Sequence, residues 1–77
     1  MTKFEILQVV RRGNRGSVLA KRLTPEDFAV SMVGSFLGDC PLNRFEGRSE
    51  SGVYAFGVNS FDDASRLVRG SVVALSG

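Results

Sequence analysis

The 77-residue sequence contains no histidine. This absence removes the commonest acid–base residue, the commonest metal ligand and every catalytic triad that includes histidine. A single cysteine, Cys40, excludes an internal disulfide. No apolar run approaches the length of about 18 residues that a transmembrane helix needs. We therefore expect a protein without metal, cofactor or membrane span.

The start of the chain also lacks an apolar signal core, because Met1 is followed by Thr2, Lys3 and Glu5. We accordingly expect a cytoplasmic protein. Its length predicts one domain over residues 1–77, and 43% apolar with 23% charged residues is typical of a globular fold. So short a chain buries only about 60% of the surface of its unfolded form, which leaves a thin stability margin. A second copy or another partner is one way to widen it.

Catalytic groups are few. Cys40 stands beside Asp39, directly after a predicted helix, and no histidine is present to activate its thiol. The acidic pairs at 26–27 and 62–63 are adjacent in sequence, so their side chains point to different sides of a helix and suit capping better than a shared site. Nine glycines form neither a GxxxxGK[ST] nor a GxGxxG motif. The sequence therefore predicts a non-enzymatic protein with an inert cysteine.

The clearest predicted helix spans residues 25–37. Thr24 is a favourable N-cap, Pro25 suits the first helical position, Asp27 completes a capping box, and Gly38 is a natural stop. Apolar residues at helical spacing form one stripe between these signals. The stripe is expected to supply the core with Phe28, Met32, Val33 and Phe36.

A second helix is predicted to begin at Ser60, and it ends either at Gly70 or near Leu75. In the first case residues 71–75 form a terminal strand. Extended segments are predicted at 3–10, 17–23, 42–48 and 53–58, with hairpin turns at 13–16 and 49–52.

These elements predict an α+β fold. The preferred order is ββαββα, a two-layer sandwich with a four-stranded, mainly antiparallel sheet and two helices on one face. If the 17–23 strand is absent and the tail is a strand, the order becomes the ferredoxin-like βαββαβ. Both arrangements leave one sheet face and the sheet edges open for binding.

Charge is unevenly distributed along the chain. Residues 1–22 hold six basic side chains against Glu5 alone, whereas residues 23–77 hold four basic and seven acidic side chains. A basic cluster of this kind steers association towards an acidic protein surface or a phosphate backbone. The predicted partner-binding residues are Arg11, Arg12, Arg15, Lys21 and Arg22.

The favoured function is a small inhibitor or adaptor that docks on a larger protein or nucleoprotein complex with an acidic surface. In size and layout the chain resembles phage-encoded host-takeover factors, including anti-CRISPR proteins. One alternative is nucleic-acid binding. If the ferredoxin-like order holds, Tyr54-Ala55-Phe56 resembles the centre of the third-strand motif of RNA-recognition domains, which implies stacking aromatics on an open sheet face. The preferred interpretation is that Tyr54, Phe56 and Val58 face the helices as part of the core. A further alternative is a self-assembling structural subunit, and a homo-oligomer would fit it.

Overall fold

The computed structural model describes residues 1–27 and 34–77, and these residues are mostly β-structure. One helix of a single turn, α1, interrupts seven strands. The strands are β1 (Lys3–Arg12), β2 (Arg15–Arg22), β3 (Phe36–Leu37), β4 (Cys40–Pro41), β5 (Arg44–Arg48), β6 (Val53–Val58) and β7 (Val72–Ser76), and α1 spans Phe61–Ala64 between β6 and β7. Within this part of the chain, no helix is long and apolar enough to cross a membrane.

The predicted two-layer α+β sandwich is therefore wrong. All seven strands belong to one antiparallel sheet in the order β4-β3-β7-β1-β2-β6-β5. Neither the four-stranded ββαββα arrangement nor the ferredoxin-like alternative describes this sheet, since the described residues contain one helical turn rather than two packed helices. The four longest predicted strands are nevertheless present, at slightly shifted bounds.

The helix predicted at 25–37 is contradicted at its C-terminal end. Gly34 lies in a turn with φ +87°, and Phe36–Leu37 pairs with both β4 and β7 as strand β3. Leu37 is fully buried, whereas Phe36 is 43% exposed and does not belong to the core. The other predicted core residues of this helix, Phe28, Met32 and Val33, lie outside the described residues. The conformation at 36–37 is decided by pairing with strands that are distant in the sequence. The helical spacing of nearby apolar residues gives no information about that pairing.

The second predicted helix begins where expected but ends early. The Ser60 hydroxyl accepts a hydrogen bond of 3.2 Å from the backbone N–H of Asp62, which satisfies one free donor of the first turn. The helix ends at Ala64, and the chain then turns through Gly70, at φ +87°, into β7. Of the two alternatives for the tail, the terminal strand is confirmed.

The sheet curls because its two end strands, β4 and β5, are consecutive in the chain. Only Leu42 and Asn43 separate them. The N–H of Leu42 donates to the carbonyl of Ser35 beside β3 (2.9 Å), and the N–H of Asn43 donates to the carbonyl of Gly57 in β6 (2.8 Å). This segment consequently joins the two ends of the sheet and curls the sheet into a barrel-like form.

The core lies on the concave face of this curled sheet. The ring of Phe4 makes edge contacts with Tyr54 and Phe56, at centroid distances of 5.2 and 5.3 Å. Side chains alternate along the strands, so every second residue faces inward except at the register shifts in β1 and β5. The buried apolar residues are Phe4, Ile6, Val18, Ala20, Leu37, Cys40, Leu42, Tyr54, Phe56, Val58, Ala64 and Leu75.

Candidate protein-binding surface

The tip of the β1–β2 hairpin carries three of the five predicted site residues. Arg12 pairs with Arg15 across the hairpin, and Arg11 pairs with Gly16. The connecting turn has a positive φ of 63° at Gly13, the first of its two residues, as a type II′ hairpin turn requires. All three arginines are exposed. The hydrogen-bonded ladder therefore holds them together at one end of the molecule.

The hairpin register separates these arginines between the two faces of the sheet. Arg11 lies on the concave side, where its guanidinium carbon is 5.2 Å from the centre of the Phe61 ring. Its Nε also donates to the carbonyl of Gly13 at 3.0 Å. Arg12 and Arg15 lie on the opposite, convex face, because they are one position removed from the Arg11–Gly16 pair. Arg11 is thus held by its neighbours, whereas Arg12 and Arg15 face solvent.

The remaining two predicted residues, Lys21 and Arg22, lie at the far end of β2. The strand is eight residues long, which places Arg22 about 23 Å from Arg15 along an extended backbone. Arg22 lines an open cleft of about 410 Å³ together with Glu26, Arg48 and Tyr54. The structure therefore brings Arg11, Arg12 and Arg15 together and places the other two basic residues elsewhere.

A polar network lies on the convex face next to the hairpin tip. Ser17 Oγ donates to Glu46 Oε1 at 2.6 Å, and Arg44 Nη2 forms an ion pair with Glu46 Oε2 at 2.7 Å. Partial burial raises the pKa of Glu46, but the hydrogen bonds from Ser17 and Arg44 outweigh it, so the pKa lies below its ordinary value. The positive charge of Arg12 lowers the pKa of Glu46 further. Glu46 is accordingly ionised at neutral pH.

Arg44 is a basic residue near the hairpin tip that the sequence reasoning did not assign to the site. It pairs with Gly57, which pairs in turn with Ser17 of β2. Glu46 lies two residues along β5 and shares the convex face with Arg44, as the alternation of a strand requires. The proximity of Arg44 to the hairpin arginines follows from the register of β5, β6 and β2, which no local signal in the sequence predicts.

Cys40 does not have the properties of a reactive thiol. Its side chain is 1% exposed in β4, and its sulfur is 3.7 Å from the carbonyl oxygen of Pro41. Burial, followed by the negative charge of Asp63, raises the pKa of the Cys40 thiol to about 11. Among the described residues, no three acidic or cysteine side chains come together as a metal-binding group.

The aromatic residues of β6 are part of the core. Tyr54 is 1% exposed and Phe56 is fully buried, and the two rings pack with Phe4 and Phe45. Their flat faces are therefore not available for stacking on nucleic-acid bases. The convex face of the same strand carries the small residues Ala55 and Gly57 instead.

No family model matches the chain, and no solved structure matches it. The chain is 32% identical over 72 residues to bark storage protein B of Populus deltoides. The match covers 94% of this chain but 22% of that protein, so the chain spans about a fifth of the length of this relative.

Proposed function

We propose that this chain is a non-enzymatic binding module that docks on an acidic surface of a larger protein or nucleoprotein complex as an inhibitor or adaptor. The contact surface is the tip of the β1–β2 hairpin. The proposal rests on one observation. Arg12 and Arg15 are exposed and form no ion pair with any described residue. Arg44 and Arg48, in contrast, are each paired with a glutamate. A cytoplasmic location, in a host-takeover setting, belongs to the same proposal.

The hairpin suits this role because Arg12 and Arg15 form no ion pair with a described acidic residue and lie on a backbone fixed by strand pairing. A guanidinium binds a carboxylate through two parallel hydrogen bonds, which gives geometric specificity as well as attraction. Arg11 is already oriented by Phe61 and the Gly13 carbonyl, so it loses less side-chain entropy on binding than a free arginine does. Clustered positive charge also accelerates association with an acidic partner and makes it salt-dependent.

Nucleic acid is the alternative ligand for the same arginines. A basic hairpin alone binds a phosphate backbone, but single-strand recognition usually adds stacking on exposed aromatic rings. Tyr54 and Phe56, the rings that the sequence suggested for this purpose, are buried. This observation favours a protein partner.

The first experiment identifies the partner by affinity purification of the tagged chain from host lysate, with and without nuclease. The recovered partner is then titrated with the wild type, with R12E/R15E and with K21E/R22E, which makes the same change of charge at the far end of β2. We expect R12E/R15E to weaken binding by at least about tenfold and K21E/R22E to change it little. Circular dichroism and thermal unfolding establish that each variant is folded.

Three results would contradict the proposal. Equal binding by R12E/R15E at low salt would exclude the hairpin tip as the contact surface. Loss of the partner on nuclease treatment would identify nucleic acid as the ligand. Sedimentation that yields only multiples of the chain mass, with no other partner recovered, would favour the self-assembling subunit.

A further inference from the structure

Gly57 in β6 provides space for a neighbouring side chain, although its backbone conformation does not require glycine. Its φ is not positive, so another residue is able to adopt the same backbone geometry. A Cβ atom built on Gly57, however, would lie 2.8 Å from Arg44 Cγ, 3.1 Å from Nε and 3.2 Å from Cζ. The absence of a side chain therefore lets Arg44 lie flat across strand β6.

The flat position of Arg44 directs its guanidinium along the convex face. There Nη2 meets Glu46, and the other carboxylate oxygen of Glu46 is occupied by Ser17. Ser17 is paired with Gly57 on one side and with Val10 on the other, two residue pairs from the Arg12–Arg15 pair and on the same face of the sheet. The guanidinium of Arg44 thus belongs to the same patch of surface as the hairpin tip.

We propose that Arg44 is a third binding arginine of the convex face and that Gly57 determines specificity by keeping Arg44 in this position. The ligand is an acidic segment of a partner protein, whose aspartate or glutamate side chains pair with Arg12, Arg15 and Arg44. The inference rests on the proposed function and deepens it. The side chain of Arg44 is 47% exposed despite its ion pair, so part of its guanidinium is accessible to a second carboxylate.

The acidic protein segment is inferred from the charges of this face and from its lack of exposed rings. Arg44 pairs with Glu46, whose side chain is 19% exposed, and the charge of Arg12 acts on the same carboxylate. Binding of single-stranded nucleic acid usually adds stacking on aromatic rings, and the rings of Tyr54 and Phe56 are buried on the other face of the sheet. A carboxylate-bearing segment requires only the guanidinium groups.

The backbone at the centre of this patch is covered by side chains of the same network. Ser17 is 2% exposed and Gly57 is buried, because Glu46 and Arg44 lie over them. A partner therefore meets this face through the exposed part of the Arg44 side chain. Substitution of Gly57 changes the position of that side chain.

The test measures binding of a fluorescein-labelled peptide of alternating aspartate and serine residues, with a single-stranded DNA of equal net charge as the comparison. The variants are G57A, R44A, G57A/R44A and the control A55S, which adds one atom to the neighbouring convex position of β6. We expect G57A and R44A each to weaken peptide binding by about fivefold and A55S to have no effect. Because G57A acts through Arg44, it should cause no further loss in the R44A background.

Each outcome separates the two proposals. Full peptide binding by G57A and R44A, together with loss of binding by R12E/R15E, overturns this inference and retains the hairpin site. Retained binding by all of these variants overturns both. A further loss caused by G57A in the R44A background shows that Gly57 acts without Arg44, which contradicts the mechanism. If the DNA binds more tightly than the peptide and depends on Arg44 to the same extent, the ligand is nucleic acid and not an acidic protein segment. Thermal midpoints of all variants distinguish a local change from loss of fold.

Discussion

Tyr54 donates a hydrogen bond from its hydroxyl to the carboxylate of Glu26, although the ring of Tyr54 belongs to the core and Glu26 lies on the surface. Arg48 forms an ion pair with the same carboxylate at 2.6 Å, and its guanidinium carbon is 5.9 Å from the centre of the Tyr54 ring. The segment that follows β2 is thereby attached to the rim of the barrel through one carboxylate.

Removal of the Tyr54 hydroxyl should weaken this attachment without disturbing the core. In Y54F the edge contact with Phe4 remains, and Glu26 retains its ion pair with Arg48. We expect a lower urea midpoint at pH 7 together with an unchanged near-ultraviolet spectrum. A midpoint equal to that of the wild type would show that the hydrogen bond contributes nothing to stability.

The same variant should alter the response to acid. The pKa of Glu26 is lowered first by the hydrogen bond from Tyr54 and then by that from Arg48. A carboxyl group with a lowered pKa stabilises the fold above its unfolded value, about 4.3, and that contribution disappears as the pH falls through the folded value. In Y54F we expect a carboxyl NMR titration to show a higher Glu26 pKa. The difference in urea midpoint between Y54F and the wild type should shrink between pH 7 and pH 3.

The two phenylalanines at 36 and 56 should respond differently to truncation. Phe56 is fully buried against Phe4, so F56A should cost about 3–5 kcal/mol and unfold much of a domain of this size. Phe36 is 43% exposed, so F36A should cost less than about 1 kcal/mol. Thermal unfolding of both variants provides the comparison. A large loss of stability in F36A alone would support the predicted helix, in which Phe36 is a core residue, and would contradict strand β3.

Cys40 should be protected from thiol reagents in the folded protein. With a pKa of about 11, roughly one thiol in ten thousand is ionised at pH 7, and the buried position also blocks access. We expect Ellman's reagent to react with Cys40 only in denaturant, and we expect C40A to retain partner binding. Rapid reaction under native conditions would show that β4 opens readily.

The outcome for residues 36–37 illustrates where sequence reasoning fails in this protein. A stripe at helical spacing and good cap residues favour a helix, but the two-residue strand at 36–37 pairs with β7 on one side and with the strand at 40–41 on the other. Strands this short have no recognisable alternation of their own. Their formation depends on a partner strand that lies more than thirty residues away in the sequence. The local sequence pattern does not indicate which strand that is.

The candidate surface shows the same division. Charge clustering identifies Arg11, Arg12 and Arg15, because they are close in sequence and belong to one hairpin. It also groups Lys21 and Arg22 with them, since sequence distance does not reveal that an extended strand separates the two groups by its full length. Arg44 is distant in sequence, and only the pairing of β5 with β6 and β2 places it on the same face.

By itself, the sequence determined the features whose energetics are local. These are the four longer strands, the glycine that permits the hairpin turn at Gly13, the start of α1 at Ser60 and the basic hairpin tip. Tertiary structure alone decided the closure of the sheet through Leu42 and Asn43, the strand conformation at 36–37 and the position of Arg44 over Gly57. The reason is that each of these depends on which strands become neighbours, and burial of apolar surface across the whole chain sets that choice.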